Sequence, residues 1–102
     1  MVVLKIFEIQ PSMRNITVTG RVKKKGDIRQ VETRFGLASV SWAVIEDETE
    51  EIRLNLWRHQ IDQVNVDDTI KISNAFVRLF EGRMELNIGA DGRIEKIESG
   101  QT

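Results

Sequence analysis

The stretch NAFVRLFEGRMEL, Asn74–Leu86, decides the fold. It sets Phe76, Arg78 and Phe80 at alternate positions, with Val77 and Leu79 between them. On a helix the two rings would share a face and belong to a core. On a strand Phe76, Arg78 and Phe80 all leave one face, because side chains alternate with period two, and Val77 and Leu79 take the other. A surface carrying two rings and a cation, backed by aliphatic residues, suits something flat and anionic. The flanking sequence selects the strand. Upstream, Ile70 and Ile72 run in one phase, whereas Ala75, Val77 and Leu79 run in the other. A phase change at residues 73–74 is what a β-bulge produces, and it turns Phe76, Arg78 and Phe80 outward. Glu81 and Gly82 then make a tight turn into RMELNIG, with Met84, Leu86 and Ile88 facing inward.

Working outward, IRLNLW is the clearest strand: Ile52, Leu54 and Leu56 alternate with Arg53, Asn55 and Trp57. The strand ASVSWAVIE precedes it across DETEE. In NITVTGRV, Ile16, Val18 and Val22 keep one phase and Gly20 falls on their side, where the strand must bend or pass close to another backbone. KKKGD reads as a loop, IRQVETR as a short polar strand arm, and FG as a break. RHQIDQV is too short for an independent helix and reads as a single turn crossing an end of the structure. The expected fold is all-β: a five-stranded Greek-key barrel, closed or partly open, with that short connector between strands three and four. The chain reads as one domain, 1–102, with a lead-in at 1–14 that covers the barrel end through Leu4, Ile6, Ile9 and Met13, and a short tail at 98–102.

A chain of 102 residues can bury one core without metals or staples. It has no cysteine, so neither a disulfide framework nor a thiolate metal site is available. MVVLKIFEIQ lacks the pattern of a secretory signal, and no apolar run reaches membrane-spanning length. The expected setting is the cytoplasm, in association with the nucleoid, with no membrane partner. Fifteen Lys and Arg against 16 Asp and Glu give a formal charge of −1, so the surface is not basic overall. The charges are nevertheless segregated: RVKKKGDIR is basic, whereas EDETEE and EKIESGQT are acidic. A local basic patch is compatible with that balance.

If Ile52, Leu54 and Leu56 fill the interior, Arg53, Asn55 and Trp57 point out. Pairing Ile45 opposite Ile52 places Ala43 inside and Trp42 outside, near Asn55 and Trp57; a slip of one residue would bury Trp42 instead. Rings interleaved with Arg53 and Arg78 match the physics of single-stranded nucleic-acid binding. Unpaired bases stack on rings at roughly 1–3 kcal/mol each, while cations track the phosphates. Lys23 is a further phosphate candidate. The acids Asp47, Glu48, Glu50 and Glu51 suggest a metal, but neighbouring acids in a tight hairpin splay apart, so no metal site is expected. His59 is the sole histidine and has no catalytic partner in the sequence. No nucleophile, phosphate loop or ligand set appears, so neither catalysis, nor a cofactor, nor a small-molecule substrate is expected.

Taken together, VETRFG, AVIEDETEEIRLNLW, DTIKISNAFVRLFEGRMELNIG and RIEKI resemble the OB-fold domain of archaeal single-stranded DNA-binding proteins of the simple, single-barrel kind. The pattern is similar to that of the eukaryotic single-stranded DNA-binding sensor proteins and, more distantly, of replication protein A. The resemblance runs from Leu4 to about Ile97. It implies base stacking by Trp57, Phe76 and Phe80, and a phosphate contact by Arg29 of the RQ dipeptide. It also implies single-stranded DNA as partner, bound without strong sequence preference and protected during replication, recombination or repair. Two departures stand out. The family's turn usually ends in glycine, where this chain has Glu50, so either the position strains or the loop differs. The relatives often carry a Gly-rich or acidic tail that recruits proteins of the repair and replication machinery, whereas this sequence ends at ESGQT. Two other readings use the same rings: an RNA-binding OB module, and a protein-binding subunit of a replication protein A-like complex.

Overall fold

In the computed structural model, which describes residues 2–100, the alternating segments are strands. Their order is β1 (Val3–Leu4), a 3₁₀ turn (Ile6–Glu8), β2 (Arg14–Lys25), β3 (Arg29–Thr33), β4 (Gly36–Glu46), β5 (Glu51–Trp57), a second 3₁₀ segment (Arg58–Gln63), β6 (Thr69–Phe80) and β7 (Arg83–Glu98). All seven lie in one sheet, ordered β1-β2-β6-β7-β5-β4-β3. The expected number of strands, five, is therefore corrected. The long first strand is divided, its arm forming β3 after a break at 26–28. The lead-in adds β1, paired in parallel with β2 at Val3–Thr17 and Leu4–Val18. That pairing joins distant segments and leaves no local signal in a two-residue strand.

β2 pairs with β6 and also with β4, so the pairings β2-β6-β7-β5-β4 return to β2. Gly20 permits a close approach of β2 to β4: a Cβ there would lie 3.0 Å from the Glu46 carbonyl oxygen and 3.2 Å from the Ile45 Cβ. The bulge is present, with the β6–β7 register shifting between Ser73 and Ala75 and Asn74 at φ +54°. After Phe80, Glu81 and Gly82 are both left-handed, the combination a two-residue type I′ hairpin requires.

The core takes Val18 and Val22 from β2, Ile45 from β4, Leu54 and Leu56 from β5 and Leu86 from β7, all fully buried. Ile6 and Ile9 of the lead-in close one end, and Met13 packs against the cluster. Ile61 and Val64, in and after the second 3₁₀ segment, are buried as well. Leu79 departs from the alternation and is exposed. The β2–β6 pairing ends at Phe76, so Leu79 projects past the covered part of the sheet.

Asp47 fastens the β4–β5 turn. One carboxylate oxygen accepts the backbone N–H groups of Thr49 and Glu50, and the other accepts the Ile6 N–H at 2.8 Å, tying turn to lead-in. Glu50 stays outside the left-handed region, so glutamate at this turn position carries no backbone strain. At the far end, the Gly100 N–H donates to Asp68 Oδ1 at 3.1 Å, while residues 101–102 of the expected tail lie outside the described residues. Among the described residues no helix is long and apolar enough to cross a membrane.

Candidate nucleic-acid interface

The face opposite the core is written by the same alternation. On β5, Ile52, Leu54 and Leu56 go in, so Arg53, Asn55 and Trp57 come out. The β4–β5 register sets Ile45 opposite Ile52, Trp42 opposite Asn55 and Val40 opposite Trp57. Trp42 is half-buried on the outer face while Ala43 is fully buried beneath it. Across β7, Arg53 is level with Glu85, and β6 then adds Phe76 beside Asn87, Arg78 beside Glu85 and Phe80 beside Arg83.

Six of the residues expected from the sequence, Arg29, Trp42, Arg53, Asn55, Trp57 and Phe80, line one groove of about 240 Å³. Trp57 is 39% exposed and Phe80 54%, so both rings present area to solvent. Trp42 is held more firmly. The Arg53 guanidinium lies 4.9 Å and the Lys24 ammonium 5.7 Å from its ring centre. Gly26 donates its N–H to the Trp42 carbonyl at 2.8 Å, and a Cβ at Gly26 would come within 2.2 Å of the indole.

Phe76 and Arg78 stand next to this groove in a second hollow, which they share with Arg14, Asn15 and Asn74. The Arg78 guanidinium is 5.4 Å from the Phe76 ring centre. Lys23 is not brought to the groove; its ammonium pairs with Glu51 at 2.9 Å. Phe35, at the tip joining β3 to β4, is 84% exposed and likewise outside the groove.

The groove also contains residues that the sequence reading passed over: Arg83, Glu85 and Asn87. Their signal was present, since they fill the outward phase of RMELNIG opposite Met84, Leu86 and Ile88. Glu85 is buried and anchors the floor. It accepts from Asn55 Nδ2 at 3.0 Å and from Arg83 Nη2 at 2.9 Å, with Arg53 Nε at 3.6 Å. Burial pushes its carboxyl pKa up, but the Asn55 and Arg83 hydrogen bonds and the two guanidinium charges outweigh this and hold it below the ordinary value. The carboxylate is therefore ionised at neutral pH and orients both arginines.

The arrangement offers rings with exposed faces, cations at their edges, and a polar floor. Among the described residues no group of three or more His, Cys, Asp or Glu side chains is placed to hold a metal ion.

Residues 5–96 match the family model described as single-stranded DNA binding protein Ssb-like, OB fold. The chain is 33% identical over 97 residues to the single-stranded DNA binding protein Ssb of Saccharolobus solfataricus, covering 94% of this chain and 66% of that protein. It is 32% identical over 95 residues to replication factor A of Methanothermobacter thermautotrophicus, covering 92% of this chain but 12% of that protein. Among solved structures it resembles an OB domain from Thermoplasma acidophilum, with a TM-score of 0.82, 27% identity, and coverage of 98% of this chain and 91% of that one. The all-β sheet thus has its counterpart in a known family: the chain belongs to the Ssb-like OB-fold family of single-stranded DNA binding proteins.

Proposed function

We propose that this chain binds single-stranded DNA with little sequence preference, bases stacking on Trp57, Phe80 and Trp42 in the groove and on Phe76 beside it. Arg29, Arg53 and Arg78 contact phosphates, with Arg83 as an added cation. One observation carries the reading: rings from β4, β5 and β6 and the arginines of β3 and β5 converge on one groove. This is the composition that single-strand binding requires, since every base has a stacking face and every nucleotide a phosphate. The Saccharolobus relative, a single-stranded DNA binding protein by name, supports the choice of ligand. We read the pairings that return to β2 as the partly open barrel expected from the sequence. The biological role that follows is protection of intracellular single-stranded DNA in replication, recombination and repair, by binding and not by catalysis.

The test is anisotropy of a labelled oligo-dT titrated with wild type, Trp57→Ala and Phe80→Ala. Each variant should bind more weakly while its far-UV spectrum is unchanged. Equal affinity in all three would remove the stacking mechanism. An unlabelled RNA competitor of matched sequence separates a DNA preference from general single-strand binding.

A further inference from the structure

We propose that the hollow on the far side of Trp42 is a second nucleotide subsite, taking the continuation of the strand held in the Trp57 groove. The inference rests on the single-strand reading above. The hollow encloses about 570 Å³ between the Ile6–Glu8 turn and the β4–β5 hairpin. Trp42, Arg53 and Arg83 line both this hollow and the groove, so the two form one trough with the indole as its divider. The floor is apolar: Ile6, Val44 and Ile52 are buried and Met84 is half-buried. Phe7 stands on its wall, 64% exposed, with its backbone N–H donating to Thr49 Oγ1 at 3.2 Å. A ring fixed at its base and open to solvent is a platform for a base.

The charges favour a nucleic acid over an apolar peptide. Lys24 lies over the Trp42 ring and, among the described residues, has no acidic group within ion-pair distance. Arg53 and Arg83, both held by Glu85, line it from the groove side. Of the two carboxylates in the lining, Glu51 is neutralised by Lys23, and Glu50 accepts the Glu51 N–H. An apolar peptide would use the floor and leave Lys24 unmatched. A strand carrying bases and phosphates uses both.

A length series of oligo-dT, from about 4 to about 16 nucleotides, the span an OB fold occupies, tests this on wild type, Phe7→Ala and Lys24→Glu. The shortest oligomers that bind should show equal affinity for wild type and Phe7→Ala. Longer ones should bind wild type more tightly, and both variants should lose that gain, by about fivefold or more for the ring. A flat length series, or variants that keep the whole gain, would overturn the subsite. So would a flat series in which Phe7→Ala dissociates a dimer in sedimentation, which would make the hollow an interface between copies. If no oligomer of any length binds wild type, the single-strand reading itself fails, and the subsite with it.

Discussion

At the scale of single residues, the groove depends on how each ring is held. Trp57 ends a strand and is 39% exposed, so truncating it removes little core. Trp57→Ala should weaken oligo-dT binding by about 1–3 kcal/mol, the worth of one stacked base, with an unchanged urea midpoint. Glu85 has the opposite character. It is buried and holds Arg53, Arg83 and Asn55, so Glu85→Gln should lower stability by about 1–3 kcal/mol, measured by urea unfolding. The same change frees positive charge in the groove. Oligo-dT should therefore bind Glu85→Gln more tightly at low salt, with a steeper dependence of log K on log salt. Weaker binding with an unaltered salt slope would show that Glu85 serves the ligand directly.

At the scale of elements, strand phase was the most readable property of the sequence. IRLNLW stated its buried and exposed faces outright, and the register of Ile45 against Ile52 followed from the turn between them. The bulge was readable because the apolar phase changes beside Asn74, which the structure holds at φ +54°. A β-branched residue resists that conformation, so Asn74→Val should destabilise the protein by about 1–3 kcal/mol, and Asn74→Gly by much less, in urea melts of both. The parallel strand β1 was not readable, because two residues carry no period and their partners, Thr17 and Val18, are remote in sequence. Leu79 misled for a related reason: its phase is apolar, but exposure there depends on where β2 stops pairing. In the groove, the residue types on β4, β5 and β6 were readable, whereas the arginine–glutamate floor was not. It takes shape only when β7 is laid beside β5, and alternation alone does not say which outward polar residues will meet.

At the scale of the whole molecule, a net charge of −1 coexists with a local cationic trough. That separation predicts salt-sensitive binding in spite of the nearly neutral net charge. Acid should unfold the protein through its held carboxylates. Asp47 is pushed up by burial, but hydrogen bonds from the Thr49 side chain and from the backbone of Ile6, Thr49 and Glu50 bring it below its ordinary value. Glu85 is lowered likewise. For a group whose folded pKa is depressed, the unfolded chain binds more protons as pH falls. Its stabilising contribution is thus complete well above about pH 4, the unfolded carboxylate range, and declines as pH drops through that range toward the folded values. Urea midpoints should be level from about pH 6 to 8 and fall below about pH 5. Asp47→Asn should flatten that acid limb, and an unchanged limb would show that Asp47 does not carry it.

The central claim is that bases stack on the rings of this groove, and intrinsic tryptophan fluorescence reads it directly, because the chain has only Trp42 and Trp57. Oligo-dT should quench wild-type emission to saturation, with an apparent Kd that rises with salt, and Trp57→Ala should lose much of the quenching. Full binding by anisotropy with no change in tryptophan emission would contradict the account.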